Sequence, residues 1–261
     1  MSDRLTIDGV SLETRWIGPR ADQAPTIVML HEGLGSVGLW GKFPEDLAAK
    51  TGWGVFLYSR RGYGASDPAP LPRPKSYLHD EANAVLPKVL DAIGLERGVL
   101  LGHGDGASIA TIYAGSHQDH RIHGLVLIAP HFFVEDVSVA SIAAAKVAYE
   151  TGDLRAKLER HHADVDNAFR GWNDTWLDPD FRSWDIQETI GYIRVPILIV
   201  QGSRDEYGTA AQLRAAQEEA YCPVEIALLD EVGYAPHLER SAETLQAVGS
   251  FIAEVQASDG W

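Results

Sequence analysis

The chain has 261 residues, 45% of them hydrophobic, which is enough for one large core and fits a single domain with an insertion. Its 37 acidic and 22 basic side chains give a formal net charge of −15, which disfavours nucleic acids and membrane surfaces as partners. No apolar run follows the first residues, no stretch approaches the ~18 apolar residues of a membrane span, and the single Cys222 excludes an internal disulfide. We therefore expect a cytoplasmic protein that binds a small, neutral or apolar molecule.

Short apolar runs alternate with helical patterns, which is typical of a mostly parallel sheet with helices on both faces. Asp8-Gly9 predicts the turn of an N-terminal hairpin between strands at 5–7 and 12–16. Further strands are predicted at residues 26–30, 55–58, 98–101, 125–128, 197–200 and 224–229. Helices are predicted at residues 43–50, 76–93, 106–116, 209–220 and 242–255.

The alternation stops between residues 131 and 192, where the pattern is helical. We expect a helical cap here, inserted after the sixth strand, with residues 1–130 and 193–261 forming the core. Its aromatic residues should form the interior of the cap, and one or more could line an apolar substrate cavity. These residues are Phe169, Trp172, Trp176, Phe181 and Trp184. The pair His161-His162 is expected to lie on a solvated helix and to bind no metal.

The segment GVLLGHGDGASIA runs from a predicted strand through a glycine-rich turn into a helix of small residues. This is the context of a G-x-S-x-G nucleophile elbow, whose small flanking residues let strand and helix approach closely and force the central residue to positive φ. The central residue here is Gly104, which has no side chain. A shifted elbow with Asp105 as nucleophile would place His103 where a glycine is needed, so Asp105 is expected to cap the helix instead.

Five segments carry a family resemblance, and they extend over most of the chain. They are HEGLGSVGLW from His31, YSRRGYGASDP from Tyr58, LLGHGDGASIA from Leu100, QGSRDEYGT from Gln201 and GYAPHLE from Gly233. In this order they resemble the α/β-hydrolase superfamily, in particular a bacterial, cap-bearing, esterase-like group. The resemblance implies the α/β-hydrolase fold: a mostly parallel sheet flanked by helices.

The same resemblance implies roles for individual residues. Gly33 and Leu34 would form an oxyanion loop, completed by the N–H of Asp105, and Asp205 would be the acid of the triad. The serine and histidine of the family fall at Gly104 and Tyr234, so both reacting side chains are replaced.

These replacements change the expected chemistry. Without a hydroxyl at position 104, no covalent acyl-enzyme can form there. Tyr234, whose reference pKa is about 10, should stay protonated beside Asp205 and act as a hydrogen-bond donor to it or to a substrate. Alternatively, Tyr234 only fills the space of the lost histidine. As a separate possibility, a small loop shift would bring His237 over the pocket in place of the missing base.

Several neighbours complete the predicted site. His31 and Glu32 lie beside the oxyanion loop, where His31 is expected to be mainly structural, as is His103 behind the elbow. His131, at the entry to the cap, and Trp172 are candidates for substrate contact. No phosphate loop or dinucleotide fingerprint occurs, so no cofactor is predicted.

Three hypotheses remain open. The favoured one is an enzyme that acts on a small apolar or aromatic carbonyl or ester-type substrate by non-covalent chemistry: elimination, cyclisation, a lyase reaction or water-mediated hydrolysis. It would use the oxyanion hole, Tyr234 and Asp205. The second is a non-catalytic ligand-binding protein on the same fold, and the third is an engineered, inactive variant of a carboxylesterase. A homodimer is possible in each case.

Overall fold

Eight strands form one sheet in the computed structural model, which describes residues 3–258. Their order is β1-β2-β4-β3-β5-β6-β7-β8. The strands are β1 (Asp3–Ile7), β2 (Val10–Ile17), β3 (Thr26–Leu30), β4 (Gly54–Tyr58), β5 (Gly98–His103), β6 (Ile122–Ile128), β7 (Ile197–Gly202) and β8 (Val224–Leu229). The first two strands pair antiparallel to their neighbours and all the others pair parallel, which confirms the mostly parallel sheet.

The central strands are buried on both faces because helices cover both sides of the sheet. Strands β3, β4, β5 and β7 are buried at every residue, which is why they read as continuous apolar runs and not as alternating ones. One hydrophobic cluster lies on each face of the sheet, and the larger also takes in side chains from the segment between β6 and β7.

Apart from the short α10, the helices of the core agree with the predicted ones to within a few residues. They are α1 (Phe43–Thr51), α2 (Tyr77–Asp80), α3 (Leu86–Ala92), α4 (Asp105–Ser116), α9 (Ala210–Glu219), α10 (Pro236–Glu239) and α11 (Ser241–Ser258). A π-helical turn, Glu81–Val85, joins α2 to α3, so the predicted helix 76–93 is one continuous element. The short α10 and a 3₁₀ helix at Val37–Trp40 were not predicted. No helix within residues 3–258 is long and apolar enough to cross a membrane.

The inserted segment, residues 129–196, connects β6 to β7 and is mainly helical. It contains α5 (Asp136–Thr151), α6 (Leu154–Leu158), α7 (Val165–Trp176), α8 (Gln187–Ile190) and a 3₁₀ helix at Pro179–Ser183. The Trp176 ring packs 5.1 Å from Phe181 and 5.9 Å from Trp184, centroid to centroid, as an aromatic interior requires. The division into core and cap at residues 130 and 193 stays a prediction.

One residue of this segment differs from expectation. His162 is buried, not solvated: its Nδ1 accepts the N–H of Gly64 at 2.9 Å, and its Nε2 donates to the carbonyl of Leu34 at 2.9 Å. Both groups belong to loops at the strand ends, so His162 ties the inserted segment to the core. Burial lowers its pKa to about 4, so the neutral form makes these two bonds.

Gly106 allows the first turn of α4 to rest directly on β3. A Cβ at Gly106 would overlap the main-chain carbonyl of Leu30. We therefore expect Gly106→Ala to lower the free energy of unfolding by about 1–3 kcal/mol, as overpacking does. Denaturant unfolding measures the change. Gly38→Ala is the control, because its nearest foreign atom would be 3.5 Å away, and equal stability of the two variants would contradict the close packing.

Candidate functional site

The site is built around the turn between β5 and α4. Gly104 forms this turn with φ 52° and ψ −116°, a region that favours glycine. A Cβ at Gly102 would overlap the main chain of Gly106, so strand and helix touch here as the elbow pattern predicts. The carbonyl of Gly104 accepts the N–H of Ala107 and of Ser108 at 2.9 and 3.1 Å, which fixes the turn.

The hydroxyl of Tyr234 occupies the space that a side chain at position 104 would need. A Cβ at Gly104 would overlap this hydroxyl, and it would lie 3.0 Å from Cζ of Tyr234 and 3.2 Å from Cβ of Glu32. The Tyr234 ring packs against His103 and Tyr207, with centroids 4.4 and 4.7 Å apart. Gly104 and Tyr234 are thus complementary in shape: the missing side chain makes room for the tyrosine.

The predicted hydrogen bond between Tyr234 and Asp205 does not form. Among the described residues, the Tyr234 hydroxyl has no hydrogen-bond partner. Asp205 instead accepts from Nε2 of Gln201 at 2.7 Å and from the N–H of Tyr207 at 2.8 Å, so it orders the loop that carries Tyr207. Burial raises the pKa of Asp205 to about 6. The pKa of Tyr234 lies well above 10 because of burial and the neighbouring carboxylates, so its hydroxyl is a donor and not a base.

Glu32 changes the predicted oxyanion loop. Its Oε2 accepts the N–H of Leu34 at 2.6 Å, so one of the predicted oxyanion donors is already engaged. Gly33 is buried under the indole of Trp172. The N–H of Asp105 has no acceptor among residues 3–258 and stays available to a ligand. Burial raises the pKa of Glu32 to about 7, and the charge of Asp105 adds to the rise.

The side chain of Asp105 does not cap α4, contrary to the prediction. Gly104 is the N-cap residue of α4, and no side chain forms a capping hydrogen bond at this end of the helix. The Asp105 carboxylate accepts the hydroxyl of Tyr77 at 2.5 Å, and that hydroxyl accepts Nε1 of Trp176 at 2.9 Å. Burial raises the pKa of Asp105, whereas buried Arg60 and the Tyr77 hydrogen bond lower it. This series of hydrogen bonds links α4 to the inserted segment. No sequence pattern singled out Tyr77.

A cavity of about 290 Å³, the main cavity, lies between the elbow and the inserted segment. Seven predicted residues line it: Glu32, Leu34, Asp105, His131, Trp172, Trp176 and Tyr234. Seven others line it without having been predicted: Leu39, Ile142, Leu158, Glu206, Tyr207, Ala235 and Glu239. Of these, Glu206 and Tyr207 could have been found from the DEYGT segment and Glu239 from GYAPHLE.

His237 does not reach the main cavity. It lies beside a second cavity of about 130 Å³, on the other side of Tyr234, where it packs 4.9 Å from Trp40 and 4.8 Å from His103 between ring centroids. Burial lowers its pKa to about 4. This position gives no support to His237 as a base over the elbow.

The other histidines have mainly structural contacts. Nε2 of His31 accepts the N–H of Arg60 at 3.0 Å, so the neutral ring carries its proton on Nδ1 and donates it to the carbonyl of Glu32 at 2.7 Å. His103 donates from Nε2 to the carbonyl of Tyr234 at 2.8 Å. His131 is different: it lines the main cavity, is only 4% exposed, and its Nδ1 has no partner among the described residues.

Within residues 3–258 no cluster of His, Cys, Asp and Glu side chains could hold a metal ion.

A family model described as alpha/beta hydrolase fold matches residues 25–222. The chain belongs to this family. A 2-hydroxy-6-oxo-6-phenylhexa-2,4-dienoate hydrolase of Comamonas testosteroni is 23% identical over 216 residues, which cover 72% of this chain and 73% of that protein. A Caulobacter segnis protein that carries the name of a carbamate hydrolase, RutD, is 34% identical over 125 residues, and this alignment covers 47% of this chain and only 43% of that protein.

Solved structures show the same fold. The enol-lactonase of Burkholderia xenovorans LB400 superposes with a TM-score of 0.74 at 19% identity and covers 96% of this chain and 100% of that one. The proline iminopeptidase of Mycobacterium smegmatis does so with a TM-score of 0.74 at 17% identity, covering 99% and 100%. At these identities the likeness concerns the fold alone. Both sequence relatives described above carry the name of a hydrolase.

The fit between Gly104 and Tyr234 predicts a coupled stability effect. We expect Gly104→Ala to be strongly destabilising, and about 1 kcal/mol less so when Tyr234→Phe has removed the overlapping hydroxyl. Gly41→Ala is the matched control, because Gly41 has a similar φ of 60° and ψ of −131° but only Leu238 nearby, at 3.5 Å. Denaturant unfolding in double-mutant cycles measures how strongly Gly104→Ala and Gly41→Ala are each coupled to Tyr234→Phe. Equal costs of Gly104→Ala in the two backgrounds would show that the hydroxyl lies elsewhere.

Glu32 should titrate near neutral pH. We expect its carboxyl ¹³C resonance, assigned by its absence in Glu32→Gln, to report a pKa of about 7 instead of 4.5. Because the folded state holds this proton more tightly than the unfolded state, the contribution of Glu32 to stability is greatest below pH 4.5 and is lost as the pH rises through 7. The stability of the wild type relative to Glu32→Gln should therefore fall between pH 5 and pH 8. A flat difference would contradict the buried carboxyl.

Proposed function

We propose that this protein is an enzyme that acts on a small carbonyl or ester-type molecule in the main cavity by non-covalent acid–base chemistry. In this proposal Glu32 transfers the proton and the Tyr234 hydroxyl donates a hydrogen bond to the substrate oxygen. One observation carries the proposal: the Tyr234 hydroxyl and Cβ of Glu32 both border the space over Gly104, where the fold would otherwise place a nucleophile, and both residues line the main cavity.

The protonation states of the two groups support these roles. A carboxyl with a pKa of about 7 is partly protonated at neutral pH, so Glu32 can give or take a proton with little cost. Its bond to the Leu34 N–H holds one oxygen in place. Tyr234 stays protonated, and its hydroxyl is without a partner among the described residues, so it is free to polarise a substrate oxygen. Asp105 N–H is a second donor at the same turn.

Asp205 has a positioning role in this proposal. It binds the N–H of Tyr207, whose ring packs against Tyr234. Elimination and hydrolysis by a bound water are both compatible with one proton-transferring carboxyl and one donor, since neither needs a covalent intermediate.

A non-catalytic ligand-binding protein is the second candidate. The engaged N–H of Leu34 favours it, because Glu32 occupies a donor that an oxyanion would otherwise use. The third hypothesis, an engineered inactive esterase, is less consistent with the close fit of Tyr234 to Gly104, because removal of a serine alone would leave its space open.

The absence of a covalent intermediate can be tested directly. We expect a fluorophosphonate probe, which modifies activated serines, to leave the intact mass of the wild type unchanged while it labels an active serine hydrolase in the same sample. The reason is that position 104 offers no oxygen to the probe. Mass spectrometry provides the measurement. An adduct on the peptide that contains residues 98–116 would refute non-covalent chemistry at this turn.

Turnover tests the proposed roles. We expect wild-type protein to convert at least one member of a panel of small esters, lactones and unsaturated keto acids. Glu32→Gln should lower kcat by about 10²–10⁴-fold, as loss of a general acid or base does, and Tyr234→Phe by roughly 10²–10³-fold, as loss of an oxyanion donor does. Glu218→Gln, on the exposed face of α9, should leave kcat unchanged. Ligand binding without turnover across the panel would favour the ligand-binding candidate.

A further inference from the structure

The charges around the main cavity point to the nature of its ligand. Four carboxyl side chains line it: Glu32, Asp105, Glu206 and Glu239. No lysine or arginine lines it, and none of the four carboxyl groups lies within 4.0 Å of a Lys or Arg nitrogen among the described residues. No cationic side chain within the cavity therefore balances the negative charge that these groups carry when they are ionised.

The four carboxyl groups are arranged in two layers. Glu32 and Asp105 lie inside, bonded to the Leu34 N–H and to the Tyr77 hydroxyl. Glu206 and Glu239 are exposed at the rim, where they accept main-chain N–H groups of the loop around Tyr234. Neutral donors hold all four carboxyl groups in place. The exposed pair at the rim supplies negative charge to the mouth of the cavity, and Glu32 adds to it when it gives up its proton.

The nearest cationic side chains are committed elsewhere. Arg60 is buried behind the cavity, where its guanidinium donates to the carbonyls of His31 and Glu32. Arg73 lies over the ring of Tyr63, 4.5 Å from its centroid. Both guanidinium groups stand outside the lining of the cavity. Their positive charges lower the pKa of Asp105 but do not outweigh burial, which raises it.

Aromatic rings form much of the remaining wall. Trp172, Trp176, Tyr207 and Tyr234 line the cavity together with Leu34 and Leu39. The faces of such rings attract cations, and tryptophan does so best. The buried His131, whose Nδ1 has no partner, adds an unused polar group to the lining. Aromatic rings combined with unpaired carboxylates suit a cation that also has apolar surface.

We propose that the main cavity takes a small organic cation: an ammonium group on a compact apolar body. An organic cation replaces the neutral or apolar ligand that we expected from the composition. The inference deepens the proposed function and rests on it, because both place the ligand in the main cavity. The net charge of −15 would further raise the local concentration of such a ligand at the rim.

The test compares two esters that share one shape and differ in charge. Acetylcholine carries a trimethylammonium group, and 3,3-dimethylbutyl acetate carries a tert-butyl group in its place. Calorimetry and the quenching of tryptophan fluorescence should show acetylcholine binding to the wild type at least tenfold more tightly. This preference should shrink as salt is added, because the rim charges are exposed. Equal affinity, tighter binding of the neutral ester, or no binding of acetylcholine would overturn the inference.

Variants at the rim locate the effect. Glu206→Gln, alone and with Glu239→Gln, should reduce the preference for acetylcholine at least threefold, whereas the exposed Glu218→Gln on α9 should not change it. Glu239→Gln could disturb the loop around Tyr234, whose N–H groups Glu239 accepts. The single variant Glu206→Gln keeps those hydrogen bonds and so separates the loss of charge from a change in the loop. An unchanged preference in both rim variants would contradict the inference. Binding and turnover are separate readouts, so a failed binding test leaves the acid–base proposal standing, and a failed turnover test leaves the cation preference standing.

Discussion

The direct contact between the end of β5 and the start of α4 determines the geometry of the whole site. Because Gly102 and Gly106 have no Cβ, strand and helix meet closely enough to hold Gly104 at positive φ. This turn faces the space that the Tyr234 hydroxyl fills, and it places the N–H of Asp105 beside it. The main cavity takes its floor from this turn and its cover from the inserted segment, which His162 ties to the core.

The site keeps the framework of a hydrolase but distributes its charge differently. In a serine hydrolase of this fold, main-chain N–H groups wait for a negative charge that develops during reaction. Here the Glu32 carboxyl accepts a hydrogen bond from one of those groups, the N–H of Leu34. This N–H is therefore occupied by a titratable side chain of the protein itself. Under the proposed function, this bond shifts the chemistry of the loop from stabilising an oxyanion towards moving a proton.

The sequence predicted the fold well because the signals for it are local. Buried parallel strands appear as apolar runs, and the glycines at 102, 104 and 106 mark the elbow on their own. The site was predicted less completely. The contact of Tyr234 with Gly104 joins residues 130 positions apart, and whether its hydroxyl turns to Asp205 or to the elbow depends on packing by His103 and Tyr207. Burial of His162 likewise follows from loop placement, which no periodic pattern encodes.

The complementary shapes of Gly104 and Tyr234 also restrict how the site can change. A serine introduced at position 104 alone would meet the tyrosine hydroxyl, whereas a smaller residue introduced at position 234 would meet no such obstacle at the glycine. The order of substitution is therefore set by sterics: position 234 must change before position 104 can carry a side chain.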